Sequence, residues 1–147
     1  MNEVEMTMDF SPEQISNYGC ANAEGLWLTT VAYFVEKGSG LQDWLDFVGA
    51  SYALRWEDMK GKSPVEVIRD AALNWVSCGA KLISSSGDEQ RAEMVLEFPQ
   101  YDPEGEYKIS YQDAHTINRI FTPIARQVGL KVEYHSEAPR FRMVFYK

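Results

Sequence analysis

At Gly79 the apolar pattern of this chain changes period. Before that glycine, apolar residues recur at three- and four-residue steps; after it, two stretches alternate every second residue. The first spacing gathers side chains along one face of a helix, and the second splits them between the two faces of a strand. A chain of 147 residues with this change of period is expected to be a single α+β domain rather than a bundle or an all-β barrel.

The helical part is punctuated. Ser11-Pro12-Glu13-Gln14 reads as a helix start: a capping serine, proline at the first position and Gln14 completing a capping box. A pause is expected near Gly19, with Asn22 capping a restart. Ala23, Leu26, Trp27, Thr30, Val31 and Phe34 then share a face, and Gly38-Ser39-Gly40 ends the helix. A second helix is expected from Leu41 to Met59, striped by Leu41, Trp44, Leu45, Val48, Tyr52, Trp56 and Met59 and widened by Phe47 and Leu54. Ser63-Pro64-Val65-Glu66 is the clearest capping box, opening a helix that turns Val65, Ile68, Ala72, Trp75 and Val76 inward.

Beyond Gly79, Ala80–Ser85 and Arg91–Phe98 read as strands joined by Ser86-Gly87-Asp88-Glu89. Ala92, Met94, Leu96 and Phe98 face one way, and Arg91, Glu93 and Glu97 the other, as in an antiparallel sheet with one wet face. After a loop over 99–109, a fourth helix is expected from Ser110 to Val128, with Ala114, Ile117, Phe121, Ile124, Ala125 and Val128 inward and a kink at Pro123. Leu130–His135 and Arg140–Tyr146 form a second hairpin. The architecture that follows is three N-terminal helices, hairpin, helix, hairpin: a four-stranded, largely antiparallel sheet with helices packed on one face. Residues 1–10 are an N-terminal arm and 11–147 the single domain. Strand order stays open.

Charge narrows the function. Fourteen bases against 22 acids give a net charge of −8, a field that repels phosphate backbones and anionic membranes. Neither a nucleic acid nor a membrane is an expected partner. Residues 107–147 run the other way, with seven bases and three acids, which reads either as two parts that attract each other across one fold or as a local anion site near Arg140 and Arg142. No apolar run reaches the ~20 residues that span a bilayer. No signal-peptide pattern is present, and Cys20 and Cys78 have neither metal-ligand nor redox spacing. A soluble, cytoplasmic protein is expected, with no metal and no cofactor.

Catalytic motifs are lacking: there is no glycine-rich phosphate loop and no His-Glu zinc spacing. His115, near the start of the fourth helix, reads either as a general acid–base or as a partly exposed first-turn residue. His135 reads as solvent-facing. Cys20 and Cys78 read as small packing groups. Arg140 and Arg142 are expected to pair across strands with Glu93 and Glu97.

Aromatic residues are the remaining signal. Trp27, Trp44, Tyr52, Trp56 and Trp75 point inward from three helices. They form either core or an apolar pocket between helices and sheet. Arg55, at the margin of the same stripe, holds a ligand carboxylate, pairs with Asp58 or Glu24, or reaches solvent. A small hydrophobic or aromatic ligand bound by Trp27, Trp44, Tyr52, Arg55 and Trp56 is the first functional expectation. A small hydrolase using His115, and an interaction subunit without catalysis, are the alternatives. The breadth of apolar helical surface predicts a homodimer.

The order of elements, Gly25-Leu26-Trp27 in an early helix, a Trp-containing second helix, Gly129 before the third strand and the terminal Pro139-Arg140-Phe141-Arg142-Met143 resemble the vinyl-reductase-type ligand-binding superfamily. That group includes the 4-vinyl reductase domain, subunits of vesicle-tethering complexes and proteins similar to L-2-amino-thiazoline-4-carboxylic acid hydrolase. The resemblance implies a helical half preceding two hairpins separated by a helix, and a ligand-binding role. Many members carry cysteines in the final hairpin; this chain has none there, and no catalytic residue is carried over.

Overall fold

The structure, a computed structural model, describes residues 9–97 and 109–147. Phe98, the first eight residues of the expected arm and nearly all of the expected 99–109 loop lie outside the described residues.

Helix α1 spans Pro12–Lys37 without interruption. Its capping box is reciprocal: Gln14 N–H donates to Ser11 Oγ at 3.1 Å and Ser11 N–H to Gln14 Oε1 at 2.9 Å. The pause expected at Gly19 does not occur. A helical glycine costs only about 1 kcal/mol, less than breaking the ladder and recapping it at Asn22. The buried face is also rotated from the expected one, running through Glu24, Leu28 and Val31 and leaving Leu26 71% exposed. A carboxylate at the centre of the buried stripe disguised it.

Helix α2, Leu41–Ala53, tightens into a 3₁₀ segment, Leu54–Met59. Helix α3, Pro64–Val76, starts at the expected capping box, where Ser63 N–H donates to Glu66 Oε2 at 3.0 Å and holds the Glu66 carboxyl below its ordinary range. Ile68, Ala72 and Trp75 are buried as expected, whereas Val65 and Val76 are exposed.

Strands β1 (Lys81–Gly87), β2 (Arg91–Glu97), β3 (Lys131–Glu137) and β4 (Arg140–Tyr146) pair antiparallel throughout, in the order β1-β2-β4-β3. The hairpins therefore join through β2 and β4. Across that seam Ala92 faces Phe145, Met94 faces Met143 and Leu96 faces Phe141, and all six are buried against the helices. On the outer face Arg140 reaches Glu97 at 3.5 Å and Arg142 reaches Glu93 at 3.7 Å, the cross-strand pairs expected from the alternation.

The fourth helical region is three pieces: α4 (Tyr111–His115), a 3₁₀ segment (Thr116–Ile120) and α5 (Phe121–Val128). Pro123 does not kink a continuous helix. It is the third residue of α5, where a missing N–H removes no intrahelical bond, and the change of helical type precedes it. The fold is thus α+β, with helices packed on an antiparallel sheet and one contiguous cluster of buried residues joining the two.

Candidate functional site

A cleft of about 580 Å³ opens among the helices. Helix α1 contributes Trp27 and Thr30 to it, α2 contributes Trp44, Val48 and Tyr52, the 3₁₀ segment after α2 adds Arg55 and Trp56, and α3 supplies Asn74 and Trp75. Ile117, Ile120, Phe121 and Ile124 line it from the fourth helical region. The helical stripes explain the convergence: each aromatic lies beside the buried face of its helix, so packing the helices leaves the rings around a shared gap.

Trp27, Trp44, Tyr52, Arg55 and Trp56 all lie on this one cleft. Its position differs from the expected one. The lining holds no strand residue, so the cleft sits between helices rather than between helices and sheet. The fourth helical region covers the sheet at this point, with Phe121 set edge-on to Phe145 of β4 at 6.2 Å.

The walls are ordered by ring contacts. Trp27 meets Trp75 edge-on, centroids 6.1 Å apart, and Trp56 meets Phe121 edge-on at 5.8 Å. Such contacts fix ring orientation and add about 0.5–1.5 kcal/mol each beyond the area they bury. Arg55 stacks its guanidinium 5.3 Å from the Tyr52 centroid. Among the described residues it forms no ion pair with Asp58 or Glu24. An arginine at the rim of an aromatic cleft, stacked but not neutralised, can take an anion.

Glu24 is only 5% exposed, on the buried face of α1 and outside the cleft lining. Among the described residues its Oε1 has no hydrogen-bond partner, and burial raises its carboxyl above the ordinary range. Cys78 lines the cleft, its thiol pushed up by burial. Cys20 donates its thiol to the Ser77 carbonyl at 3.3 Å, which ties α1 to the end of α3.

His115 is not a partly exposed first-turn residue. It is 5% exposed, packed between Tyr111 and Phe141, with Nδ1 2.6 Å from Ser136 Oγ. Desolvation pushes its pKa down to about 4, so the imidazole is neutral at pH 7. It lies outside the aromatic cleft. His135 is half-exposed on β3, 3.7 Å from Glu133.

Pattern reading missed Thr30, Asn74 and Cys78 as cleft residues. Asn74 precedes an inward tryptophan, and nothing in the helical period marks it. Ile117, Ile120 and Ile124 carry the same apolar signal whether they fill a core or floor a cleft. Among the described residues no group of three or more His, Cys, Asp or Glu side chains could hold a metal ion, and no helix is long and apolar enough to cross a membrane. No protein-family model matches the chain, and no curated protein matches its sequence.

Proposed function

We propose that this chain is a small-molecule-binding or sensory domain, cytoplasmic and homodimeric, whose ligand is a flat apolar or aromatic molecule with an acidic substituent. The rings of Trp27, Trp44, Trp56 and Trp75 take the apolar body, and Arg55 takes the acid. The observation that carries this reading is the convergence of Trp27, Trp44, Tyr52, Arg55 and Trp56, from three helical segments, on one cleft of about 580 Å³. That volume lies within the roughly 300–1,000 Å³ of small-molecule sites. A ligand-binding role also agrees with the resemblance of the element order to the vinyl-reductase-type superfamily.

A titration with 8-anilinonaphthalene-1-sulfonate, an aromatic sulfonate, tests it, read as energy transfer from tryptophan. Saturable binding is expected, weakened about tenfold or more by Arg55→Gln, since a hydrogen bond to a charged group contributes about 1.5–3 kcal/mol. Unsaturable binding, or the same affinity in Arg55→Gln, would count against the reading.

The hydrolase alternative is favoured by one observation, the 2.6 Å contact between His115 Nδ1 and the exposed Ser136 hydroxyl. An imidazole held at about 4 is a weak general base at neutral pH. The binding reading is therefore preferred.

A further inference from the structure

Helix α1 carries an uncharged face that no other element among the described residues buries. Opposite its buried stripe run Ile15, Tyr18, Asn22, Leu26, Thr29 and Tyr33, at successive steps of three and four residues. Ile15, Tyr18, Leu26 and Tyr33 expose 59–73% of their surface. Between Glu13 and Glu36 the only charged residue of the helix is Glu24, which is buried. A solvated helix face in a chain of net charge −8 ordinarily carries acids or bases; this one carries tyrosines, a leucine and an isoleucine.

The threonine hydroxyls on and beside the face are already paired, whereas Tyr18, Asn22 and Tyr33 bring polar ends that a contact has to pair. Thr29 donates its hydroxyl to the Gly25 carbonyl at 2.7 Å, and the neighbouring Thr30 donates to Leu26 at 2.7 Å. Neither hydroxyl needs water, so covering them leaves no unpaired donor.

We infer that this stripe is the contact between two copies of the chain, α1 against α1 in antiparallel two-fold pairing. The inference rests on the homodimer reading above and adds the surface and its geometry. Charge selects the occupant. Two copies of net −8 repel across their acidic surfaces and meet at least cost along a neutral strip. A basic partner would be steered to the acids elsewhere and would find none here. The stripe is also self-complementary when reversed: Ile15 falls opposite Tyr33, Tyr18 opposite Thr29, and Asn22 and Leu26 meet across the axis. The first turn then lies beside the last turn of the second copy, so the helix dipoles oppose favourably, while Glu36 and Lys37 of that last turn offset each other's charge. A helix of 26 residues, about 39 Å long, offers enough length for several turns of contact. The pairing would pass along one rim of the aromatic cleft, because Leu26 belongs to both.

Sedimentation velocity of the full chain across the micromolar range tests this with two variants and a control. Tyr18→Lys changes a residue outside the cleft, and Leu26→Asp one at the centre of the stripe. Leu73→Asp changes an equally exposed leucine on α3. A wild-type dimer is expected, weakened about tenfold or more by each α1 variant, with unchanged circular dichroism, and unaltered by Leu73→Asp. Ile15→Cys chains mixed with Tyr33→Cys chains should form the mixed disulfide in preference to either like pair. A dimer indifferent to Tyr18→Lys and Leu26→Asp would overturn the α1 interface and leave the homodimer standing. A monomeric wild type would overturn both. Sulfonate binding in Tyr18→Lys, whose residue does not line the cleft, reports on the ligand reading separately.

Discussion

Gly49 of α2 is pressed against Pro123 of α5: a methyl group at position 49 would stand 2.8 Å from Pro123 Cγ and 2.5 Å from the Ile120 carbonyl oxygen. The absent side chain lets α2 meet the fourth helical region at the distance that sets the cleft's width, with Val48 and Ile120 both on its lining. Gly49→Ala should destabilise the fold by about 1–3 kcal/mol, the usual range for overpacking, even though alanine is the better helix former. Urea denaturation of the two proteins measures this, and sulfonate affinity should fall in the same variant.

The buried imidazole of His115 makes stability depend on pH. Its folded pKa of about 4 lies below the ~6.5 of an unfolded histidine. Between those values the unfolded chain binds the extra proton. Stability from this group is therefore complete above about pH 6.5 and is lost as pH falls toward 4, by on the order of 3 kcal/mol. His115→Gln should flatten that part of the profile, seen as a shrinking wild-type-minus-variant difference in unfolding free energy between pH 7 and pH 4. If catalysis by a Ser136–His115 pair were the chain's function, p-nitrophenyl acetate would acylate Ser136 in a His115-dependent way; no such adduct is expected by mass spectrometry.

Glu24 acts in the opposite sense. Its carboxyl is raised by burial, so the folded state holds its proton longer than the unfolded state does. Stability falls as pH rises from the unfolded value near 4.5 through the raised folded value, and stays lower above it. Glu24→Gln should therefore stabilise the protein at pH 7 by roughly 1 kcal/mol or more, with the gain vanishing below the unfolded pKa. Thermal melts at pH 7 and pH 4 provide the comparison.

Cys78 should be slow to react. Burial raises its thiol pKa, leaving little of the nucleophilic thiolate near neutrality. Iodoacetamide at pH 8 should modify Cys78 in the native protein more slowly than in urea-unfolded protein, read by peptide mass spectrometry. A bound ligand should slow it further, because the side chain lines the cleft.

The element order and the inner face of the sheet were legible because burial alternates along β2 and, apart from the buried Val144, along β4, as with Met94 against Met143 and Leu96 against Phe141. The cleft's aromatics were legible as a set of helical stripes, but their common place was not, since periodicity orients residues on one helix and says nothing of the crossing between helices. Three features resisted reading. The buried face of α1 was hidden by Glu24, a residue type that rarely goes inside. The break in the fourth helix came before Pro123, where no breaker residue stands. His115 went inside because Ser136, twenty-one residues away in sequence, satisfies its ring nitrogen.

Native mass spectrometry of the chain purified from its own host bears most directly on the proposed role of the cleft. The account predicts a retained small molecule of discrete mass, reduced or lost in Arg55→Gln and in Trp27→Ala. A bare chain in all three proteins, or a bound mass indifferent to both substitutions, would contradict it.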